Sequence, residues 1–392
     1  MPKARHNMKR FADFLTLLLG FAIALVFSIV LLEIYFDKSR LFYVHAPRRS
    51  VEVQLPGEIF KGCPQKFRCS TNQQGMRGEN YPENAFSYRI LAIGGSATIC
   101  AFLDDAQTWP ALVQNKLRRT GNGRPVWVGN IGKSGLTTRG HVLQARFFLP
   151  QYPVDAILLL VGINDLSLRL SEGEKYDPHF MEKNENRRWL TFKTFEILPD
   201  CTIHPFYKRL GIWKLASRTK RYYRYRFSQH NRAAALKALQ DYRRIGRQLI
   251  AMPDLSGGLE EYQRNLTDII ASAKQMNVRL IMMTQPTLWH QNMAKTEQEA
   301  LVFGFIGDPR IQPDHAYYSA EVLAEGMNLY NQKLLQLCRQ YNVECIDLAA
   351  RLPRNLQMMY DDCHFTAAGA QLVADIVVDY LRINHHLLTS KR

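Results

Sequence analysis

Arg89-Ile90-Leu91-Ala92-Ile93-Gly94-Gly95-Ser96-Ala97-Thr98 is an apolar run that breaks on paired glycines and then turns polar. It reads as a buried strand ending in a tight turn. The same pattern returns on moving outward. Residues 109–117 have the spacing of an amphipathic helix, Val126-Trp127-Val128 reads as a second strand, and a helical stretch follows over about 139–149. Residues 155–161 are apolar on both faces, as a doubly covered strand must be. A helix over 259–276 precedes a strand over 278–284. A helix over 321–341 precedes the short strand 343–347, and a last helix covers about 366–383. Strands alternating with helices predict βαβ units. Right-handed crossovers then give a three-layer α/β/α sandwich around a five-stranded parallel sheet, with functional groups at the carboxyl ends of the strands.

The rest of the 392 residues sets the frame. Hydrophobic residues make up 46% and charged residues 22%, which excludes wholesale disorder. No short repeat is visible, so solenoids and propellers are excluded. Lys and Arg number 51 against 35 Asp and Glu, a formal charge of +16. Such a balance points to an anionic contact: nucleic acid, a membrane surface or an acidic polymer.

The N-terminus narrows that choice. Residues 1–10 hold four Lys or Arg, and residues 14–32 are nineteen without a charge. As a helix that run spans roughly 28 Å, close to the roughly 30 Å of a bilayer core. No small-x-small cleavage site follows closely. The reading is an uncleaved, single-pass signal anchor over 1–36 with a short cytoplasmic tip. A membrane-proximal loop region over 37–88 and a catalytic domain over 89–392 then lie outside the cytoplasm. Lys38, Arg40, Arg48 and Arg49 just beyond the span weaken the charge asymmetry that sets this orientation. Seven cysteines are present. Cys63 and Cys69 are spaced to close a small loop in an oxidising compartment, and no zinc-type spacing is seen.

Polar or glycine-rich groups follow three predicted strand ends: Gly94-Gly95-Ser96-Ala97-Thr98, Asn130-Ile131-Gly132-Lys133-Ser134-Gly135, and Gly162-Ile163-Asn164-Asp165. A fourth block, Asp361-Asp362-Cys363-His364-Phe365-Thr366, precedes the last helix. Ser96 on a glycine turn is a candidate nucleophile that needs a base, and His364 is the candidate base. Asp361, three residues earlier, is placed to hold the imidazole tautomer. The backbone N–H groups of Ser96 and Gly135 and the side-chain amide of Asn164 are candidate oxyanion donors. The structural alternatives are that Asn164 caps a turn and that His364 opens a helix.

This order of blocks resembles the SGNH/GDSL hydrolase superfamily. The name-giving positions fall on Ser96, Gly135, Asn164 and His364, and Asp361-x-x-His364 has the family's spacing. Trp109-Pro110 also fits, as does the helix followed by the 278–286 strand. Asn72-x-x-Gly75-x-Arg77-Gly78 resembles a segment found ahead of the serine block in some bacterial members. The resemblance covers about 89–166 and 259–383. It implies a flavodoxin-like fold and ester hydrolysis by a serine nucleophile through an acyl-enzyme, with no metal and no cofactor. Two departures stand out. Gly95 replaces the usual Asp, and Lys133 puts a positive charge where a small apolar residue is commoner, which favours an anionic substrate.

A helical insertion over about 167–258 interrupts the resemblance. Residues 201–250 hold thirteen Lys or Arg and one acidic residue, Asp241. The insertion reads as a solvated decoration, a platform for anionic lipid headgroups, or a cleft wall for an anionic polysaccharide. An exported domain makes nucleic acid an unsuitable partner. The expectation is a membrane-anchored serine esterase acting on O-acyl (acetyl) esters of cell-envelope carbohydrate. The rivals are an O-acyltransferase, a lipase or thioesterase, and a non-catalytic envelope binding protein of this fold.

Overall fold

The computed structural model describes residues 2–36, 41–54, 60–84, 86–199, 213, 215–216, 219–220, 234–311 and 314–384. The chain divides into two units: residues 1–42 with 198–228, and residues 43–197 with 229–392. The first contains a 35-residue helix, Pro2–Phe36. Its stretch Asp13–Leu31 has a mean hydropathy of 2.8 and is unburied, long and apolar enough to cross a membrane. The centre of the basic insertion, Arg218 to Phe227, lies outside the described residues apart from Thr219 and Lys220.

The second unit contains the sheets. Its strands are β1 (Ser50–Gln54), β2 (Lys66–Ser70), β3 (Tyr88–Gly94), β4 (Val126–Asn130), β5 (Ala156–Leu160), β6 (Gln248–Leu249), β7 (Arg279–Met283), β8 (Tyr317–Tyr318) and β9 (Glu344–Ile346). Five of them form the central sheet in the order β4-β3-β5-β7-β9. All its pairings are parallel, with Gly94 beside Leu160 and Leu160 beside Met283. This is the expected three-layer sandwich. Every residue of β4 and β5 is buried, which is why their sequences run apolar without alternation. The helices Trp109–Leu117, Ser256–Gln275, Ala320–Tyr341 and Ala367–Ile383 cover the sheet with amphipathic faces. The helix expected over 139–149 is regular only over Thr138–Leu143. It widens at Gln144–Phe148 and tightens at Leu149–Gln151, where Pro150 cannot donate a helical hydrogen bond.

The segment ahead of the sheet is more ordered than a loop layer. Strands β1 and β2 pair antiparallel, Ser50 against Ser70. Their alternation turns Val53 and Phe67 inward, where they pack with Phe60, Phe102 and Tyr360. The next turn joins the edge of the central sheet. Arg77 and Asn130 exchange backbone hydrogen bonds of 2.9 and 3.1 Å as an antiparallel bridge. The expected Cys63–Cys69 bridge is not formed, because Cys63 carries a free thiol. Among the described residues a disulfide joins Cys338 to Cys345, seven residues apart. Asn342 ends the preceding helix in a left-handed conformation, and the chain turns back into β9 so that the two residues face.

Candidate active site

Three of the sequence blocks stand at the carboxyl edge of the sheet because a short turn leads out of their strands. β3 ends at Gly94, and Ser96 opens the short helix Ser96–Ile99. β4 ends at Asn130, whose side chain holds the next turn by accepting from Gly132 N at 2.9 Å and donating to Thr98 O at 2.8 Å. β5 leads through Gly162 into the helix Ile163–Glu172, which carries Asn164 in its first turn. The Asp361–His364 turn is fastened to the helix that follows by Thr366, whose hydroxyl accepts from Gly369 N.

Ser96, His364 and Asp361 meet in one hydrogen-bonded line. His364 Nε2 lies 2.6 Å from Ser96 Oγ, and His364 Nδ1 lies 2.6 Å from Asp361 Oδ2. The other carboxylate oxygen of Asp361 accepts from the backbone N–H of Cys363 at 3.1 Å and of His364 at 2.9 Å. Asp361 is fully buried. Tyr360 stacks on the imidazole at 5.5 Å with rings 14° apart, and Phe303 stands at 6.1 Å. A line of hydroxyl, imidazole and buried carboxylate has the geometry needed to take a proton from the hydroxyl and to stabilise an imidazolium.

Asn164 and Gly135 border the same space. Asn164 Nδ2 donates to Leu136 O at 2.9 Å, which orients the amide and leaves its second N–H. Gly135 has φ +69°, a conformation that favours glycine, with no atom within 4 Å of where a Cβ would stand. At Gly95, where the resembled motif has Asp, an added Cβ would lie 2.4 Å from Asn164 Nδ2, so any larger residue requires that amide to shift.

The pocket next to this line has a volume of about 640 Å³. Gly135, Asn164 and His364 border it, and Leu168, Leu190, Leu236, Leu239, Phe303 and Phe305 supply much of its apolar wall. Leu236 and Leu239 come from the helical residues 234–245, the described end of the insertion.

Lys133 does not point a charge into this space. Its ammonium is pinned between Thr194 O at 2.9 Å and Val44 O at 3.3 Å, where burial pulls its pKa down to about 8. Sequence reasoning also passed over Asp362. Its carboxylate accepts from Trp289 Nε1 at 2.7 Å and from Val302 N at 2.5 Å, fixing the pocket wall beside His364. Burial, with Asp361 adjacent, pushes its pKa up to about 6. The acid pair Asp361-Asp362 was the visible signal. The ligand atoms of Asp361, Cys363 and His364 lie within 4.8 Å of one another. Their chemistry does not favour a cation. Both Asp361 oxygens are already engaged, and burial, with Asp361 and Asp362 nearby, raises the Cys363 pKa so that it stays a thiol.

The five-stranded sandwich and the polar groups gathered at its carboxyl edge define an ester hydrolase of the SGNH type. The model of the GDSL-like lipase/acylhydrolase family matches residues 92–372, and the chain belongs to that family. Among solved structures it is similar to Axe2, an acetylxylan esterase from Geobacillus stearothermophilus. The identity is 16%, over 79% of this chain and 98% of that one, with a TM-score of 0.40. It is also similar to the psychrotrophic esterase EstA from Pseudoalteromonas sp., at 12% identity over 76% of this chain and 100% of that one, TM-score 0.39. A third is LAE5, an alpha/beta hydrolase enzyme from the metagenome of Lake Arreo, Spain, at 15% identity over 78% and 99%, TM-score 0.40. No curated protein matches the sequence.

Proposed function

We propose that the protein is a membrane-anchored serine esterase of the cell envelope that removes O-acyl groups, acetyl foremost, from carbohydrate. The observation that carries this reading is the continuous line Ser96–His364–Asp361, whose imidazole borders the pocket. Ser96 Oγ attacks the ester carbonyl and its proton passes to His364 Nε2. Asp361 holds Nδ1 and stabilises the imidazolium. The carbonyl oxygen, now negative, is met by Ser96 N–H, Gly135 N–H and the second N–H of Asn164. Collapse expels the alcohol, which takes the proton from His364 and leaves Ser96 acylated. Water, deprotonated by the same imidazole, then releases the acid and restores the serine.

The helix Pro2–Phe36 supplies the anchor in this account. The Cys338–Cys345 disulfide supports a domain outside the cytoplasm, since such bonds persist in oxidising compartments. The test is hydrolysis of para-nitrophenyl acetate and butyrate by the full chain in detergent, with Ser96→Ala beside it. Turnover lost in Ser96→Ala at an unchanged melting temperature is the expected result. Turnover that survives the substitution would remove Ser96 from the role of nucleophile.

A further inference from the structure

An acetyl group occupies little of a pocket of about 640 Å³, a size typical of sites that enclose a whole small molecule. The remainder must receive the other part of the ester. One wall of that remainder is a single helix face. The helix Asn184–Thr194 turns Asn186, Trp189, Leu190 and Lys193 into the pocket, at the i, i+3, i+4 and i+7 positions of one stripe.

Trp189 is 55% exposed, unusual for the largest side chain. It is nonetheless held. Phe180 meets it edge to face at 6.1 Å, and Lys193 Nζ lies 5.1 Å from the ring centroid. The ammonium makes no close ion pair among the described residues, although the Glu172 carboxylate acts on it electrostatically. The other charged groups of this region are accounted for differently. Arg139 is committed to Glu261 through two bonds of 2.7 and 2.8 Å, and Glu172 borders the pocket. The wall therefore presents an aromatic face, a cation that lies against that face with the Glu172 carboxylate in its vicinity, and the amide of Asn186.

We infer that Trp189 and Lys193 form a subsite for a sugar ring bearing an anionic group in the alcohol part of the substrate. The inference rests on the esterase reading above. The C–H face of a pyranose is weakly positive and stacks on the negative face of an indole, by the attraction that holds the ammonium there. A carboxylate on the ring draws the Lys193 ammonium into a charge-assisted hydrogen bond, stronger than its contact with the indole. The cation that the sequence suggested at Lys133 is thereby supplied by Lys193.

The experiment compares kcat/KM for acetate release from O-acetylated oligogalacturonate, O-acetylated xylooligosaccharide and para-nitrophenyl acetate, using the full chain in detergent. Trp189→Ala is expected to lower the value for both sugar esters relative to the aryl ester by about tenfold, mainly through KM. Lys193→Gln is expected to lower the acidic sugar ester about tenfold relative to the neutral one, and Lys193→Arg to restore most of the loss. Equal effects on all three esters, or none on the acidic one, would overturn the inference. So would a wild type that cleaves the aryl ester but neither sugar ester, which leaves the esterase reading standing. A wild type inactive on all three removes that reading and the subsite with it.

Discussion

Arg77→Met removes the guanidinium on which the surroundings of Ser96 hang. Arg77 is 1% exposed. Its Nε donates to Asp105 Oδ1 at 2.8 Å, Nη1 to the carbonyls of Ile99 at 2.6 Å and Cys100 at 2.7 Å, and Nη2 to Leu103 O at 2.5 Å. Those carbonyls end the helix that Ser96 opens and begin the chain beyond it. Methionine fills similar volume but donates nothing. Four carbonyls lose a donor, counting Arg68 O at 3.4 Å, at about 1–3 kcal/mol for each that stays buried and unsatisfied. Asp105 keeps hydrogen bonds from Ser70 N at 3.0 Å and Ser70 Oγ at 2.5 Å, so the carboxylate is not stranded. These losses are not additive, and breaking a buried pair by deleting one partner typically costs about 3–5 kcal/mol. At about 2–4 °C per kcal/mol, the melting midpoint falls by roughly 10 °C. Arg77→Lys keeps a charge and three donors and recovers part of the loss. The assay is thermal unfolding of the detergent-solubilised chain by intrinsic fluorescence, with kcat measured well below the midpoint. A midpoint within about 2 °C of wild type would refute the reasoning, because a guanidinium with these partners is not a passive filler.

Three further outcomes follow from the same contacts. Gly95→Ala drives a Cβ to 2.4 Å from Asn164 Nδ2, so the amide must move; kcat for an aryl ester should fall about 100-fold with little loss of fold. Burial pushes the Asp165 carboxyl from 3.8 up to about 7 despite hydrogen bonds from Thr138, so the folded chain holds a proton that the unfolded chain releases. Its stabilising contribution, on the order of 4 kcal/mol, is therefore complete below about pH 4 and lost as pH rises through about 7. Asp165→Asn should flatten denaturation midpoints across that window. Cys338→Ser should lower stability by about 2–3 kcal/mol through the short loop it opens, and reductant should do the same to wild type but nothing to the variant.

The central sheet was legible because β3, β5 and β7 are buried on both faces, and an apolar run bounded by glycine or polar turns has few other readings. Three of the four chemical blocks were legible for a related reason, since each follows its strand within a few residues, and the fourth was legible from its Asp-x-x-His spacing just ahead of the last helix. Strand β2 was missed although Lys66-Phe67-Arg68-Cys69 alternates; five residues of period two stand out poorly among Pro and Gly. The Cys338–Cys345 bond depends on a left-handed turn at Asn342, which spacing alone does not reveal. Lys133 illustrates the limit most directly. Its position in the motif was read correctly, but where its ammonium goes is set by carbonyls at Val44 and Thr194, far away in the chain. The pocket wall depends in the same way on Leu236, Phe303 and Trp189 converging from separate segments.

The central claim is that Ser96 is a nucleophile activated by His364. A fluorophosphonate probe applied to the full chain, with the adduct located by peptide mass spectrometry, tests it most directly. The account predicts one adduct, on Ser96, absent in Ser96→Ala and strongly slowed in His364→Gln. No adduct on Ser96, or labelling that is indifferent to His364, would contradict it.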